Sequence, residues 1–356
     1  MTHNVVFIGR GWVVTDIWLP NLQRAGISRF CCIDPFAADP AECSAPFRTV
    51  RNLDELQLHD VDVAIVASPN AKHAEHARAF LGKGVSTIIE KPVCFSSDEA
   101  LRLGATSAAS SAQLLRSCAS TFDPHFEEFR RLVDGHGTAR IQSVTAHWIR
   151  GNGIPSSRWL TEAQHAVAGS SLDLGWHLLE CILALLDYPK MKLTNARFSF
   201  LESADGAPGR FASWYGSQSA HSLALVDVDI AAELKFRTVT GTDVAMKTAW
   251  QANVAHDEVR LSVAGQGFEL DLSTIFGMSR NGPARPHIYG IVDGKALEFE
   301  LPKKKPGEAH TRMIQAFVDA GFDSGCVKQD IRQLDALASA SAQIVDHHRI
   351  WRARVS

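Results

Sequence analysis

Short apolar runs alternate with longer helical patterns along the first third of the chain. The apolar runs have the length of buried parallel strands, and the segments between them carry apolar residues at helical spacing. An alternating series of this kind predicts an α/β fold with a doubly wound parallel sheet. The predicted strands are residues 5–8, 30–33, 61–67, 87–89 and 114–118, and the predicted helices are residues 15–25, 73–83 and 97–110.

The alternation of strands and helices stops near Phe122-Asp123-Pro124. Apolar and polar residues then alternate over several short stretches between residues 196 and 301, for example in residues 223–230. Strands without intervening helices predict an α+β domain built on a largely antiparallel open sheet. Two further helices are predicted at the end of the chain, at residues 310–320 and 331–351.

A chain of 356 residues is long enough for two domains. We predict a first domain of residues 1–122 and a second domain of residues 123–356, because the pattern changes between them. An antiparallel sheet can cover one face with helices and offer the other face to a partner subunit. The second domain therefore predicts a homodimer or a homotetramer.

The composition is that of a globular enzyme, and it excludes several kinds of partner. The formal net charge of −3 gives no global field that would attract nucleic acid. No apolar run approaches the ~20 residues of a membrane span, and the strand at Val5 leaves no room for a signal peptide. The seven cysteines are scattered without a C-x-x-C pair, which predicts reduced thiols, a cytoplasmic location and no metal site. We expect the run Lys303-Lys304-Lys305 to lie in a solvated loop.

A glycine turn, Gly9-Arg10-Gly11-Trp12-Val13-Val14, joins the first predicted strand to the first helix. In a dinucleotide-binding turn, Gly9 would permit the tight turn and Gly11 would let the backbone approach a pyrophosphate at the helix N-terminus. The third position of this fingerprint is normally Gly or Ala, and here it is Val14. The context of strand, turn and helix supports a dinucleotide site in spite of that departure.

The second predicted strand ends in Asp34, which lies 20 residues beyond Val14. This is the spacing of the acid that hydrogen-bonds the adenosine ribose 2′-OH. A carboxylate there would repel a 2′-phosphate, so we predict NAD as the cofactor rather than NADP. The alternative is that Asp34 only opens an Asp-Pro turn over residues 35–38.

A lysine directly follows the strand at residues 87–89, in the sequence Glu90-Lys91-Pro92. Ligands of an open α/β sheet bind outside the carboxyl ends of its strands, which is where Lys91 is predicted to lie. Pro92 has no N–H and a fixed φ, so the chain leaves the sheet at this point. The alternative is an ordinary solvated lysine at a strand end.

A second group of polar residues lies in the sequence Asp173-Leu174-Gly175-Trp176-His177. If one helix includes both Asp173 and His177, the two side chains are one turn apart on the same face. A carboxylate beside an imidazole can perform acid/base chemistry, since the unperturbed pKa of imidazole is about 6.5. The alternative is a buried helix with a hydrogen-bonded histidine.

Together these motifs resemble the glucose–fructose oxidoreductase/inositol dehydrogenase (Gfo/Idh/MocA) family. The resemblance covers nearly the full chain, and its most specific feature is Glu-Lys-Pro followed some eighty residues later by Asp-x-Gly-x-His. The chain departs from the family at Val14, and it has Ser170-Ser171 where many relatives have glycine or other small residues. The residues that carry the resemblance are Gly9, Gly11, Asp34, Ser68, Pro69, Asn70, His73, Glu90, Lys91, Pro92, Phe122, Asp123, Pro124, Asp173, Gly175 and His177.

The resemblance implies an N-terminal Rossmann domain that binds NAD(P) and a C-terminal domain that binds substrate and forms oligomer contacts. It implies hydride transfer between the nicotinamide and a hydroxyl-bearing carbon of a sugar, cyclitol or related polyol. Lys91, Asp173 and His177 are the implied catalytic residues, with His177 or Lys91 transferring the proton. The implied cofactor-binding residues are Gly9, Arg10, Gly11, Trp12, Val13, Asp34, Ser68, Pro69, Asn70, His73, Glu90 and Lys91.

Two other functions are compatible with the same fold. One is a non-catalytic sensor or regulator that binds the cofactor without turnover. The other is an NAD(P)-dependent reductase of imines or double bonds. Retention of Lys91, Asp173 and His177 together favours the dehydrogenase, since a sensor has no need of all three.

Overall fold

A computed structural model describes residues 3–34, 47–56, 58–151, 153–201, 211–212, 226–283 and 285–355. The chain forms two compact units, Met1–Ser117 with His310–Ala338 and Cys118–Ala309 with Ser339–Ser356. Residues 310–338 thus group with the first unit, although the sequence pattern assigned them to the second domain. The division into functional domains of residues 1–122 and 123–356 stays a prediction. Residues 35–38 and 223–225, which entered two predictions, lie outside the described residues.

A six-stranded parallel sheet forms the centre of the first unit, in the order β3-β2-β1-β4-β5-β6. The order reverses between β1 and β4, and ligands of doubly wound sheets bind at such a switch point. The predicted parallel sheet is therefore confirmed. Its strands are β1 (Asn4–Ile8), β2 (Arg29–Ile33), β3 (Phe47–Val50), β4 (Val63–Val66), β5 (Ser86–Ile89) and β6 (Leu114–Arg116).

The helices of the first unit bury apolar side chains, and α3 begins at a side-chain cap. The Ser96 hydroxyl there accepts a hydrogen bond from the Glu99 N–H, as a helix N-cap does. The first helix is unusual, because it opens with six residues of π-helix, Val13–Trp18, before α1. The helices that contribute to this unit are α1 (Leu19–Arg24), α2 (His73–Leu81), α3 (Ser97–Ser110), α9 (Glu308–Asp319) and the start of α10 (Ile331–Val355).

The late segment of residues 310–338 is bonded into the first unit at several points. The indole of Trp18 stacks on Phe317, with ring centroids 6.4 Å apart. The Arg116 N–H donates to the side-chain oxygen of Gln329 over 2.7 Å, and the Gln329 amide donates to the Arg116 carbonyl over 3.0 Å. Through these contacts, residues that lie some two hundred positions beyond the sheet in the sequence become part of the first unit.

An eight-stranded sheet forms the second unit, in the order β16-β15-β14-β13-β7-β12-β11-β9. All neighbours are antiparallel except β7 and β12, which are parallel. The predicted, largely antiparallel sheet is confirmed. Its strands are β7 (Ile141–Ile149), β9 (Met191–Phe200), β11 (Asp229–Thr238), β12 (Asp243–Ala249), β13 (Glu258–Gly265), β14 (Phe268–Thr274), β15 (His287–Val292) and β16 (Lys295–Glu300).

Shorter elements accompany this sheet. A two-residue parallel pair joins β8 (Ile154–Pro155) to β10 (Phe211–Ala212). The helices are α4 (Pro124–Asp134), α5 (Arg158–Thr161), α6 (Ala163–Ala166), α7 (Ser170–Asp173), α8 (Gly175–Leu185) and the rest of α10. Single turns of 3₁₀-helix occur in the two units at Leu53–Glu55, Leu58–Asp60, Asn70–Lys72, Ala119–Phe122 and Thr138–Arg140.

The two faces of the large sheet differ in polarity. Along β11, buried Leu234 and Phe236 alternate with exposed Glu233 and Lys235. Helix α8 is buried along nearly its whole length and packs against β7 and β12. On the polar face, the Lys247 ammonium lies 2.9 Å from the Glu233 carboxylate. The one-sided alternation read from the sequence is present in β11, whereas the oligomer it suggested stays a prediction.

The described part of the chain contains neither a membrane-spanning helix nor a metal-binding group. None of its helices is long and apolar enough to cross a membrane. Within those same residues, no group of three or more His, Cys, Asp and Glu side chains could hold a metal ion.

Candidate active site

The candidate cofactor site begins at the glycine turn after β1. Gly9 has a φ of +93°, and a Cβ at this position would lie 2.7 Å from the Ala67 carbonyl oxygen. Both the left-handed backbone and the close approach to the end of β4 require glycine. Gly11 differs, because a Cβ there would meet no atom within 4 Å. The protein itself does not need glycine at position 11, so the open space fits a ligand that approaches the backbone.

This contrast gives a testable prediction for the two glycines. Gly9→Ala is expected to lower the free energy of unfolding by about 1–3 kcal/mol, the cost of a strained left-handed residue. Gly11→Ala serves as the matched variant: it should leave stability within ~0.5 kcal/mol and weaken binding of the dinucleotide. Denaturant unfolding and a cofactor titration measure the two effects. Equal loss of stability in both variants would contradict the assignment.

A π-helix follows the turn at the position where the sequence departs from the fingerprint. Arg10, Trp12 and Val13 are half-buried, and Val14 is fully buried. The Leu19 N–H donates to the Val14 carbonyl, five residues back, rather than four as in an α-helix. The wider turn thus coincides with a valine where Gly or Ala would normally allow close helix–strand packing.

Four strand ends lie side by side along the carboxyl edge of the parallel sheet. Ile8 pairs with Ile33 and with Val66, and Val66 pairs with Ile89. The residues that follow these strand ends therefore lie on one edge of the sheet. They are Asp34 after β2, Gly9 after β1, Ser68 after β4, and Glu90 and Lys91 after β5.

Asp34 is half-buried next to the glycine turn. Its N–H donates to the Val50 carbonyl over 3.1 Å, and the Gly9 N–H donates to the Ile33 carbonyl over 2.9 Å. These bonds fix the backbone of the acid to the end of β3 and the backbone of the turn to the end of β2. The position is the one expected of a ribose-binding carboxylate, and this role for Asp34 stays a prediction.

His73 connects the loop after β4 to the loop after β5. Its ring is buried, with Nδ1 2.7 Å from the Pro92 carbonyl oxygen and Nε2 2.7 Å from the Ser68 carbonyl oxygen. Burial lowers the pKa of His73, while the two carbonyl oxygens and Glu90 favour its protonated form. Because both ring nitrogens are engaged by the backbone, the observed role of His73 is to hold these loops. A contact between His73 and the cofactor stays a prediction.

The loop after β4 carries the other predicted cofactor residues. Ser68 is half-buried, and its hydroxyl lies 2.9 Å from Nδ1 of His76. Pro69 is exposed, whereas Asn70 is buried at the start of a 3₁₀ turn. The Lys72 N–H donates to the Pro69 carbonyl over 2.8 Å and closes that turn.

A buried carboxylate holds the backbone of Lys91. The Trp18 indole N–H donates to Glu90 Oε1 over 2.7 Å, and the Lys91 N–H donates to Glu90 Oε2 over 3.1 Å. Glu90 is buried and Lys91 is half-buried. The predicted place of Lys91 just beyond the carboxyl end of a parallel strand is confirmed, and its catalytic role stays a prediction.

In the second unit, the segment before Asp173 is tied to a buried aspartate. Asp229 is fully buried and accepts from the N–H groups of Gly169 and Ser171 and from the hydroxyls of Ser170 and Ser171, over 2.8–2.9 Å. A Cβ at position 169 would lie only 1.9 Å from the Asp229 carbonyl oxygen, so this residue must be glycine. The Ser170-Ser171 departure thus has a structural reason, because both hydroxyls bond to Asp229.

Asp173 ends α7 in a buried environment that the sequence did not predict. The Trp250 indole N–H donates to Asp173 Oδ2 over 3.0 Å. Arg150 and Asp257 are also buried, with Arg150 Nε 3.8 Å from the Asp257 carboxylate. Burial lowers the pKa of Arg150, and the charges of Asp257 and Asp173 oppose that shift. Asp173 is therefore a carboxylate held by an indole in the field of a buried guanidinium.

His177 lies on α8 with different neighbours. Its Nδ1 is 2.8 Å from the Ser120 hydroxyl, and its ring centroid is 5.6 Å from that of Trp148. The ring is half-buried, in contrast to the buried Asp173. Leu174 separates α7 from α8 but keeps helical dihedral angles, so the chain continues from one helix into the next. Asp173 contacts the indole of Trp250, whereas His177 contacts the hydroxyl of Ser120 and the indole of Trp148.

The prediction of a solvated lysine run was wrong for Lys304. Its side chain is 11% exposed and forms an ion pair with the buried carboxylate of Asp123. Its ammonium lies 5.4 Å from the centroid of the Phe276 ring. Burial lowers the pKa of Lys304, and Asp123 opposes that shift. Asp123 also caps α4 by accepting from the His125 N–H over 3.0 Å, which explains its place before Pro124.

Similar proteins share the sequence and the fold of this chain. The model of the GFO_IDH_MocA family, described as "Oxidoreductase family, NAD-binding Rossmann fold", matches residues 3–116. A protein of Amycolatopsis mediterranei strain S699, named as the oxidoreductase subunit of a UDP-kanosamine synthase, is 30% identical over 332 residues. That match covers 91% of this chain and 90% of the relative. The chain belongs to the Gfo/Idh/MocA oxidoreductase family.

Other proteins are similar to this chain in sequence or in fold. The D-glucoside 3-dehydrogenase of Escherichia coli K12 is 23% identical over 258 residues, which cover 72% of this chain and 69% of the relative. The solved structure of levoglucosan dehydrogenase in complex with NADH and L-sorbose has the same fold, with a TM-score of 0.74 at 16% identity. It covers 100% of this chain and 98% of that chain. The predicted family, fold and class of NAD(P)-dependent oxidoreductase are confirmed.

Proposed function

We propose that this protein oxidises a hydroxyl-bearing carbon of a sugar or related polyol, using a nicotinamide dinucleotide held at the carboxyl edge of its parallel sheet. One observation supports this most directly: Lys91 is fixed by Glu90 on the same sheet edge as the glycine turn and Asp34. A cation at that edge can stabilise the alkoxide that forms when a hydroxyl loses its proton. The relatives named above act on sugars, which agrees with this substrate class.

The glycine turn, Asp34 and the loop after β4 would hold the cofactor. The bound nicotinamide supplies the hydride acceptor at its C4. In the oxidation, His177 takes the proton from the substrate hydroxyl, Lys91 stabilises the developing alkoxide, and Asp173 helps to hold the substrate. The exchange of roles between His177 and Lys91 is the alternative assignment.

Within the sugar class, we propose the C3 hydroxyl of a glucosyl unit as the reacting group. The name of the Escherichia coli relative, a D-glucoside 3-dehydrogenase, supports this position. The relative named as part of a UDP-kanosamine synthase supports a sugar that is linked to a nucleotide. A substrate panel of methyl glucoside, glucose 6-phosphate, UDP-glucose and myo-inositol separates these classes.

The panel tests the proposed function directly. With NAD present, at least one member should give NADH absorbance at 340 nm, and product analysis should show a ketone at the oxidised ring carbon. NAD should also raise the melting temperature of the protein, since a ligand of the native state stabilises it. A thermal shift with NAD and no turnover of any polyol would support the sensor instead. Turnover only of imines or activated double bonds would support the reductase.

The cofactor is proposed to be NAD rather than NADP. Solved structures with this fold contain NADH or NADP, so the fold alone does not choose between them. Asp34 places a negative charge after β2, and residues 35–47 of the sequence contain no arginine or lysine to offset it. The wild-type kcat/KM should therefore be higher with NAD, and Asp34→Ala should narrow the preference. Asp98→Ala, at an exposed position on α3, is the control. A clear wild-type preference for NADP would overturn this assignment.

The protein is proposed to be a homodimer or homotetramer in the cytoplasm, packed through the polar face of its eight-stranded sheet. Charged side chains on this face include Arg197, Glu233, Lys235 and Lys247. Across a two-fold axis, Glu233 of each chain can pair with a lysine or arginine of the other chain. Light scattering at micromolar concentration should give a mass of two or four chains. A monomer at that concentration would contradict the proposal.

A further inference from the structure

Ser120 lies against the imidazole of His177 inside the second unit. It belongs to the 3₁₀ turn Ala119–Phe122 and is buried. Its hydroxyl is 2.8 Å from Nδ1 of His177, which is hydrogen-bond distance. The Trp148 indole packs on the same ring at an interplanar angle of 49°. The ring is therefore fixed at one nitrogen and along one side.

We infer that Ser120 is a positioning residue that accepts a hydrogen bond from Nδ1–H of His177 and so leaves Nε2 as the nitrogen that takes the substrate proton. This inference rests on the proposed function, in which His177 is the base. A neutral imidazole carries one proton, and the partner of one nitrogen decides the state of the other. With Nδ1–H donating to the Ser120 oxygen, Nε2 carries the lone pair and is the nitrogen that can take a proton.

The chemistry of a hydroxyl suits this task through the whole reaction. Before the proton transfer, Nδ1–H donates to the Ser120 oxygen and Nε2 carries a lone pair. After the transfer, Nε2 holds the former substrate proton and Nδ1–H still donates to the same oxygen. If the Ser120 hydroxyl instead donated to Nδ1, Nε2 would carry the proton and could not act as a base. The accepting role of the Ser120 hydroxyl is therefore the one that the reaction requires, and a hydroxyl fills it without adding a charge.

A second hydroxyl–histidine pair in the same unit shows what a structural contact looks like. Thr274 Oγ1 is also 2.8 Å from Nδ1 of His125. The other ring nitrogen of His125 lies 2.7 Å from the Pro302 carbonyl oxygen, and the residue is buried. Both nitrogens of His125 are therefore bonded within the protein. His125 is buried, and the ring of His177 is half-buried. Thr274 supplies a matched control for the loss of a hydroxyl beside a histidine.

The test compares Ser120→Ala, Ser120→Thr, Thr274→Val and His177→Ala in the full chain with NAD and the best substrate of the panel. Ser120→Ala should lower kcat by about 10- to 100-fold, less than the loss of the base itself, with KM within about twofold. Ser120→Thr keeps the hydroxyl and should recover most of the activity. Thr274→Val should leave kcat unchanged.

A spectroscopic measurement separates a role in tautomer selection from simple packing. In ¹⁵N-histidine NMR of the wild type, the His177 signals, assigned by their loss in His177→Ala, should show a protonated Nδ1. Ser120→Ala should shift the population toward protonated Nε2, and Ser120→Thr should restore it. If Ser120→Ala does not fold, Ser120→Cys, which is close in size and a weak acceptor, replaces it with the same criteria.

The outcomes distinguish this inference from the proposed function. Normal turnover in His177→Ala would overturn the proposed function and the role of Ser120 with it. Loss of turnover in His177→Ala, with kcat of Ser120→Ala within twofold of wild type and an unchanged tautomer, would overturn the role of Ser120 alone. An equal fall in kcat for Thr274→Val would also overturn it, because packing would then explain both effects.

Discussion

Replacement of Lys91 or His177 by alanine is expected to slow turnover by roughly 10²-fold or more, the scale of a lost acid/base or alkoxide-stabilising group. Lys91 follows the strand end that Glu90 anchors, and His177 is held at Nδ1 by Ser120. Lys91→Ala keeps the hydrogen bond to Glu90, because the backbone N–H of residue 91 is the donor. The affinity for NAD should therefore stay nearly unchanged, while kcat falls. Steady-state kinetics and a cofactor titration measure the two quantities separately.

The controls for this experiment lie on the surface of the same chain. Lys83→Ala removes an exposed lysine shortly before β5, and His59→Ala removes an exposed histidine. Both control variants should keep wild-type kcat. If Lys91→Ala and His177→Ala also turn over normally, the dehydrogenase mechanism proposed here is wrong. If only one of them loses activity, that residue carries the proton transfer or the charge stabilisation by itself.

Asp229→Ala is expected to lower the free energy of unfolding by about 3–5 kcal/mol, as does removal of one partner from a buried charged network. The carboxylate accepts four hydrogen bonds from Gly169, Ser170 and Ser171 and lies 3.4 Å from His348. Without it, two N–H groups and two hydroxyls are left buried without their acceptor. Urea unfolding followed by tryptophan fluorescence measures the loss.

Two further variants serve as a surface control and a conservative substitution for this experiment. Asp243→Ala breaks an exposed ion pair with Arg237, and such a pair contributes only about 0–1 kcal/mol. Asp229→Asn keeps the shape and one acceptor oxygen, so its loss should be smaller than that of Asp229→Ala. A change below ~1 kcal/mol in Asp229→Ala, similar to that of a surface substitution, would show that the network does not stabilise the unit.

The parallel sheet and the ends of its strands could be predicted because the information is local. A run such as residues 63–66 is apolar at every position, which identifies a strand buried on both faces. Lys91 and Asp34 follow such runs directly, so their place at the sheet edge follows from sequence position alone. The same is true of Gly9, whose turn is read from its neighbours in the chain.

The surroundings of Asp173 and His177 could not be predicted, because they depend on pairing between distant segments. Arg150 and Trp250 follow β7 and β12, and they become neighbours only because those two strands pair in parallel within a mostly antiparallel sheet. Ser120 lies 57 positions before His177 and is one of many serines. No local pattern distinguishes these residues from ordinary loop residues.

Lys304 shows why a run of lysines does not by itself identify a solvated loop. A run of three lysines is normally solvated, because burial of an ammonium is costly without a partner. The partner here is Asp123, 181 positions earlier, which also caps α4. One carboxylate serves both purposes, and the local sequence around Lys304 indicates neither of them.

The late segment that completes the first unit has a consequence for biosynthesis. The sheet strands of that unit are made first, but Phe317 and Gln329, which pack on Trp18 and Arg116, follow only after residues 118–309. At ~5–20 residues per second, the nascent sheet waits roughly 10–40 s on the ribosome before its last helices are translated. During this interval the apolar surface around Trp18 is uncovered, so newly made chains should depend on chaperones more than an uninterrupted nucleotide-binding domain would.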